Sequence, residues 1–332
     1  MKMTFLQNKF IRKEADKFVT INLGNCYTKG LIVEGEEVTD YFIEAKKDLA
    51  ATIKKWWAEK KISTKKVKVS VKDPSCLVRY FPFPKMDKKK LKQALFYEMN
   101  KFIPFPSDEV YFDFFILGEI SATQSSVLLA VAKKSFIDNI LDVFGKSGLR
   151  VTEINLDSIC LTNLFLNNYG ENKETNSCIL DIGYNFSTMI ILNKGVPFLT
   201  RDVKFSAKEV FQIVSRIKNK SLSEIEKQLF SPEGGSEILK LTQDSISNFC
   251  KEMKASFDYF EVNKGELVNK LYLTGGWASI EGIEKVFTEA LDTEVEVLEP
   301  ILKRGPKLSQ AFSDKEFTKF KNSFSTLFGL IS

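Results

Sequence analysis

The sequence, 332 residues long, predicts a mixed α/β protein made of two duplicated lobes, and three observations carry that prediction. The short β-branched run Phe18 to Asn22 enters a glycine turn at Gly24, and Tyr27 to Glu34 then resumes the apolar alternation of a second strand. The same strand, glycine turn and strand return in CILDIG (Cys178 to Gly183) and TMIILNKG (Thr188 to Gly195). Between them, Cys76 to Phe144 reads as strand, helix, strand, strand, helix, a compact α+β unit inserted into a larger one. Two halves that open alike imply an internal duplication with a cleft between the halves.

Taken in order, Asp48 to Lys60 shows the helical spacing of Leu49, Ile53, Trp56 and Trp57, and Lys66 to Val71 (KVKVSV) is a strand with lysines on its wet face. The strand CLVRYF starting at Cys76 leads through FPFPKMDKKK into a helix with Leu91, Leu95, Phe96, Met99 and Phe102 on one stripe. Ile103-Pro104-Phe105-Pro106 ends that helix, because proline lacks the N–H donor and clashes with the preceding turn. Strands over Tyr111 to Leu117 and Ser126 to Ala132 and a helix over Lys134 to Phe144 follow. A strand over Leu149 to Ile154, a helix over Leu156 to Asn168 and the polar loop Gly170 to Ser177 close the first half. The second half continues with helices between Lys208 and Phe260, the strand KLYLTGG (Lys270 to Gly276) and a helix from Glu281. These boundaries predict a first-lobe core over 1–75 and 145–172 and the insert over 76–144. They place a second-lobe core over 173–205 and 271–332, with a helical or α+β subdomain over 206–270.

Composition removes several function classes. The chain has no histidine, which excludes Ser-His-Asp and Cys-His mechanisms and most catalytic zinc sites. Cys26, Cys76, Cys160, Cys178 and Cys250 are odd in number and never in CxxC, and read as reduced core cysteines. The apolar runs are far shorter than the about 20 residues of a membrane span. Met1 to Lys17 is basic but lacks the apolar region of a secretory signal, so cytoplasmic residence is expected. The 48 basic and 43 acidic residues are interspersed, with a net charge of +5, which speaks against a nucleic-acid stripe.

Three segments carry candidate chemistry. In Asn22-Leu23-Gly24-Asn25 and Asp181-Ile182-Gly183-Tyr184, a glycine after a buried strand lets the backbone approach a bound group and point N–H groups at phosphate oxygens. An acid at the strand end, Asp181, suits a metal held through water. A single D-x-G hairpin is ordinarily only a turn. The third segment, Leu271 to Gly282, runs a strand into Gly275-Gly276 and then a helix, so that amides and bare backbone face an anion or a flat ring.

In this order the three segments resemble the phosphate 1, phosphate 2 and adenosine series of the actin and sugar-kinase superfamily, over nearly the whole chain. Within it the sequence is similar to the PilM family of type IV pilus assembly proteins, relatives of the cell-division protein FtsA. Arg79 and Pro84 ahead of the inserted helix, then Glu98, Ile103-Pro104-Phe105-Pro106 and Asp113, carry that likeness, and Val295 to Pro300 and Phe328-Gly329-Leu330 match the family's C-terminal pattern. The resemblance implies an actin-like fold with ribonuclease H-like duplicated lobes and an inserted α+β subdomain, and ATP with magnesium as cofactor. It implies cofactor contacts at Asn22, Gly24, Asn25 and Lys29, at Asp181, Gly183 and Ser187, at Glu224 and Lys227, and at Gly275, Gly276 and Ala278. Asp181 is the implied metal ligand, through water.

The chain departs from the family at telling places. The family's first turn is D-x-G-S-x-x-x-K, and here Asn22 stands for the aspartate and Asn25 for the serine. Ile154-Asn155-Leu156-Asp157 replaces V-D-V-E, Ser206-Ala207 replaces two glycines, and Trp277 stands where glycine is common, placed to stack on an adenine or to fill its space. Losing one charged group at a developing transition state costs about 10² to 10³ in rate, whereas a backbone cradle survives side-chain change. The expectation is therefore no ATPase or a very slow one, and the changes weigh less against nucleotide binding, which the sequence leaves open.

The function that the resemblance implies is a cytoplasmic scaffold of a type IV pilus or related secretion machine, held at the inner membrane through partners. It would bind the N-terminal cytoplasmic peptide of a PilN-like membrane protein, in a groove between the first lobe and the insert, along with other pilus assembly components. Two other readings stand beside it. One is an active actin-like ATPase or sugar-kinase-type enzyme, for which no catalytic carboxylate replaces the altered positions. The other is an FtsA-like membrane-tethered filament, because Phe317, Phe320, Phe324, Leu327, Phe328 and Ile331 fall at helical spacing near Lys315, Lys319 and Lys321. The match of that stretch to the closing helix of the second half favours burial.

Overall fold

Strand order makes the duplication concrete in the computed structural model, which describes residues 17–45, 48–170, 174–228, 232–309, 312 and 315–332. The chain divides into two units, the first running to Asn163 and including Gly305–Ser309, the second comprising Leu164–Arg304 and Gln310–Leu330.

In the first unit, β1 (Lys17–Leu23), β2 (Tyr27–Glu34) and β3 (Glu37–Ala45) form an antiparallel meander. Helix α1 (Leu49–Glu59) then crosses to β4 (Lys66–Val71), which lies parallel to β1. Asp48 starts that helix by accepting the amides of Ala50 and Ala51 at 2.9 and 3.2 Å. Trp56 of α1 packs on Phe42 of β3 with ring centroids 3.7 Å apart and planes tilted by 33°. Phe42 lies opposite Gly30 in the ladder, where a Cβ would stand 2.1 Å from the ring, so only glycine admits the aromatic there.

The insert follows. Strand β5 (Cys76–Pro84) leads to α2 (Lys88–Glu98), β6 (Val110–Glu119) and β7 (Gln124–Lys133), which make a separate antiparallel sheet in the order β5-β7-β6. The period-2 alternation of the central strand β7 serves two cores. Leu128, Ala130 and Ala132 pack with the large sheet, while Val127, Leu129 and Val131 pack with α2, Met99 and Ile103. Helix α3 (Lys134–Lys146), expected to complete the insert, instead buries Ile137, Ile140 and Phe144 in the core of the large sheet. Strand β8 (Arg150–Leu156) then pairs parallel to β4 and leads into α4 (Asp157–Tyr169).

In the second unit, β9 (Ser177–Asp181), β10 (Ser187–Asn193) and β11 (Val196–Val203) repeat the meander. The expected helical stretch is three helices, α5 (Ala207–Lys218), α6 (Leu222–Gln228) and the long α7 (Pro232–Lys264). Strand β12 (Lys270–Thr274) lies parallel to β9, and after α8 (Ile283–Leu291) strand β13 (Glu294–Val297) lies parallel to β12. The order β11-β10-β9-β12-β13 repeats β3-β2-β1-β4-β8 with the same strand senses, and β14 (Lys307–Leu308) is a short addition to the outer side of β3.

The chain closes with α9 (Lys315–Phe320), a 3-10 turn and α10 (Ser325–Ile331). Phe317, Phe324, Leu327 and Phe328 are buried, so the aromatic stripe is core and does not form a membrane-surface helix. No helix among the described residues is long and apolar enough to cross a membrane.

Candidate functional site

The ends of β1 and β9 are equivalent positions. Asn22 lies opposite Lys29 of β2 and Ser70 of β4, and Asp181 lies opposite Thr188 of β10 and Thr274 of β12. Each unit thus presents one polar residue at the end of its central strand, with at least one hydroxyl side chain at the same register.

At the first turn, Asn22 is 2% exposed and its Nδ2 donates to Ser70 Oγ at 2.8 Å and to both carboxylate oxygens of Asp157 at 3.0 Å. Asp157, the first residue of α4, is 7% exposed. A buried carboxylate needs donors, and the helix start and the Asn22 amide supply favourable surroundings. Gly24 follows where a Cβ would come within 2.6 Å of the Tyr27 carbonyl oxygen, so this tight turn requires glycine on steric grounds. Asn155 is buried, its Oδ1 accepting the Leu156 amide at 3.0 Å. Asn25 and Lys29 are partly buried beside this turn.

At the second turn, Asp181 meets the strand-to-glycine segment directly. Gly275 adopts φ +90°, and a Cβ there would stand 2.6 Å from the Ile182 carbonyl oxygen and 2.8 Å from Asp181 Oδ1. Asp181 and Gly275 are therefore brought together, whereas Gly276 faces open space. The carbonyls of Gly183 and Tyr184 accept the amides of Ala207 and Lys208 at 3.0 Å, so the first amides of α5 are met by protein. Ser206 caps the same helix, accepting the Glu209 amide at 3.2 Å, which gives the serine standing in a glycine's place a structural use. Ser187 is fully buried and donates to the Phe205 carbonyl at 2.6 Å.

Trp277 does not line open space. It is 1% exposed, in the core beside Phe205 and Phe211 at 6.1 and 5.9 Å, with its Nε1 buried without a hydrogen-bond partner. Ala278 is buried with it. Glu224 is exposed and accepts from the backbone and hydroxyl of Ser221 at 2.8 and 2.6 Å, a capping box at the start of α6 that holds its carboxyl below the usual range. Lys227 is exposed on the same helix.

Sequence reasoning missed Ser70, Asp157 as the partner of Asn22, Thr188 and Thr274. The pairing register exposes Ser70, Thr188 and Thr274, and the approach of α4 to β1 exposes Asp157, although the S-x-x-E spacing of Ser221 to Glu224 and of Ser206 to Glu209 was a readable cap signal. The five cysteines are free, and burial pushes the Cys76 thiol up to about 12, which leaves it a poor nucleophile.

At the first turn the residues present do not fit a magnesium ion. The Asn22 amide already occupies Asp157, and among the described residues no group of three or more acidic or cysteine side chains is placed to hold a metal. At the second turn Asp181 lies beside Gly275, and Asp202 accepts from Thr188 at 2.7 Å.

Comparisons with known proteins bear on the fold and the family. A chain of a solved PilM-PilN type IV pilus biogenesis complex is similar at 19% identity, covering 96% of this chain and 98% of that one, with a TM-score of 0.82. The ethanolamine utilization protein EutJ from Carboxydothermus hydrogenoformans is similar at 10% identity, covering 96% and 90%, with a TM-score of 0.56. MreB 5 of Spiroplasma citri, solved bound to AMPPNP, is similar at 10% identity, covering 96% and 95%, with a TM-score of 0.51. The fold is that of the actin-like ATPases, a mixed α/β arrangement with several sheets. Residues 23–331 match the family described as type IV pilus assembly protein PilM, and the chain belongs to that family.

Proposed function

We propose that this protein is a cytoplasmic scaffold of a type IV pilus or related secretion machine that binds the N-terminal cytoplasmic peptide of a PilN-like membrane protein. The peptide lies between the first-lobe sheet and the insert. The observation that carries this reading is the way Arg79 fastens the end of α2 to β5. Its Nε donates to the Phe102 carbonyl at 3.3 Å and its Nη1 to the Val78 carbonyl at 3.0 Å. Phe102 stacks on Phe81 with centroids 3.8 Å apart and planes 2° apart, and Phe105 lies under Lys133 at 4.6 Å. Rigid aromatic anchors with a polar rim are what recognition of a short peptide needs. Similarity to a chain from a PilM-PilN complex points to the same class of partner.

The strand-end residues act in this reading to hold structure, with nucleotide turnover absent or very slow. The Asn22 amide bound to Asp157 supports this, because a hydrolytic site needs a charged group free to position metal or water.

The test is calorimetric titration of the full chain with the synthetic N-terminal peptide of the PilN-like protein from the same organism. One-to-one binding is expected, weakened at least about tenfold by Arg79→Ala while the melting temperature stays close to native. Absence of binding up to about 1 mM peptide, or equal binding by the variant, overturns the proposal.

A further inference from the structure

The exposed surface of α2 carries a charge that the peptide reading does not use. From Lys85 to Lys101 there are six lysines against two acids, a net +4, in a chain whose whole net charge is +5. Leu91 and Leu95 point inward at 2% and 0% exposure, the exposed Lys88 and Lys92 flank that stripe on the side of β6, and Lys89, Phe96 and Tyr97 are exposed farther round the helix. Lys88, Lys92 and Phe96 follow one another at four-residue spacing, and Tyr97 is 80% exposed.

The acids nearby are largely engaged. Asp87 caps the helix by accepting the amides of Lys89 and Lys90 at 3.1 and 3.0 Å and pairs with Lys90 at 3.5 Å. Glu98 pairs with Lys101, and Lys85 pairs with Glu119 at 2.7 Å. Asp113 on β6 attracts Lys88 and Lys92 and is half-buried, with burial pushing its carboxyl up. Lys92 Nζ lies 6.0 Å from the Phe112 ring and Phe96 packs at 6.4 Å on the same ring, so the basic and aromatic side chains form one continuous face.

We infer that this face of α2 docks on an anionic lipid bilayer, with Lys88, Lys89 and Lys92 at the headgroups and Phe96 and Tyr97 in the interface. Lysine clusters on an amphipathic helix are attracted to anionic lipid, and aromatic rings with adjacent ammonium groups suit the headgroup level. A folded acidic partner is favoured less. The cations are all lysines, hydrated point charges that match a diffuse negative surface, whereas carboxylate recognition in a protein interface is better served by the guanidinium fork. This inference stands apart from peptide recognition, since the docking needs lipid alone.

The experiment is co-sedimentation of the full chain with vesicles of phosphatidylcholine containing about 30% phosphatidylglycerol, and with pure phosphatidylcholine, at about 0.1 M and 0.5 M salt. Partition to the anionic vesicles is expected at low salt, with little at high salt and little on the neutral vesicles. Each lysine contributes about fivefold. Lys88→Gln with Lys89→Gln and Lys92→Gln should therefore lose about 10²-fold, while the corresponding triple change to arginine keeps binding. Tyr97→Ser should lose several-fold at an unchanged melting temperature. No partition to anionic vesicles, or equal partition by the glutamine triple variant, overturns the inference. So does native chain that ignores vesicles but binds a polyglutamate peptide through these lysines, which would identify an acidic protein partner.

Discussion

Asn22 and Asp181 end the central strands of two sheets that share one strand order, and they have come to different chemistry. Asn22 gives its amide to Ser70 and to Asp157, 135 residues further along the chain, and is closed into the fold. Asp181 keeps its acid beside a glycine whose backbone conformation excludes other residues. A duplicated architecture is thus preserved by pairing and by glycine geometry, while the side chain at the equivalent strand end differs between the two halves.

The largest expected effect breaks the first member of this pair. Asn22→Asp would set a buried carboxylate about 3 Å from both oxygens of Asp157, and should cost roughly 3–5 kcal/mol at neutral pH. The two carboxylates would share a proton that the unfolded chain releases in the ordinary carboxylate range. The pair's folded pKa is therefore raised, so the deficit is small below that range and grows as pH rises from it through the raised folded value. Denaturant unfolding at about pH 5 and pH 8 checks the sign, and combining Asn22→Asp with Asp157→Asn should restore most of the loss. A single variant as stable as native at the higher pH breaks the comparison.

A smaller effect sharpens the second member. Gly275→Ala meets both a positive φ and two oxygens inside 3 Å, and should lose about 2–3 kcal/mol, whereas Gly276→Ala enters open space and should stay within about 0.5 kcal/mol. Thermal melts of the two variants side by side read the difference. Equal losses would mean that the close approach of Gly275 to Asp181 is not what fixes this turn.

How far the sequence revealed this arrangement depended on how far each signal travels along the chain. The paired hairpins, the proline stop after α2 and the buried C-terminal stripe follow from local patterns and were readable. The third strand of each meander was not. Strand β3 buries only Val38 and Phe42, four residues apart, which hides its alternation, and β11 is an edge strand with Pro197 near its start and Arg201-Asp202 near its end. Helix α3 was readable as a helix, but which core its apolar face joins depends on β7 serving two cores. The exchange of acid for amide at Asn22 was visible, yet its partner Asp157 emerges only when β1, β4 and α4 meet. Trp277 left two expectations open, and packing against Phe205 and Phe211 puts it in the core.

The central claim is that this actin-like protein works by holding partners and not by turning over nucleotide. Phosphate release from the native full chain with ATP and magnesium tests it most directly. The account predicts release indistinguishable from the protein-free background. Sustained release at about 1 s⁻¹ or faster, in the range of ordinary enzymes, would contradict it.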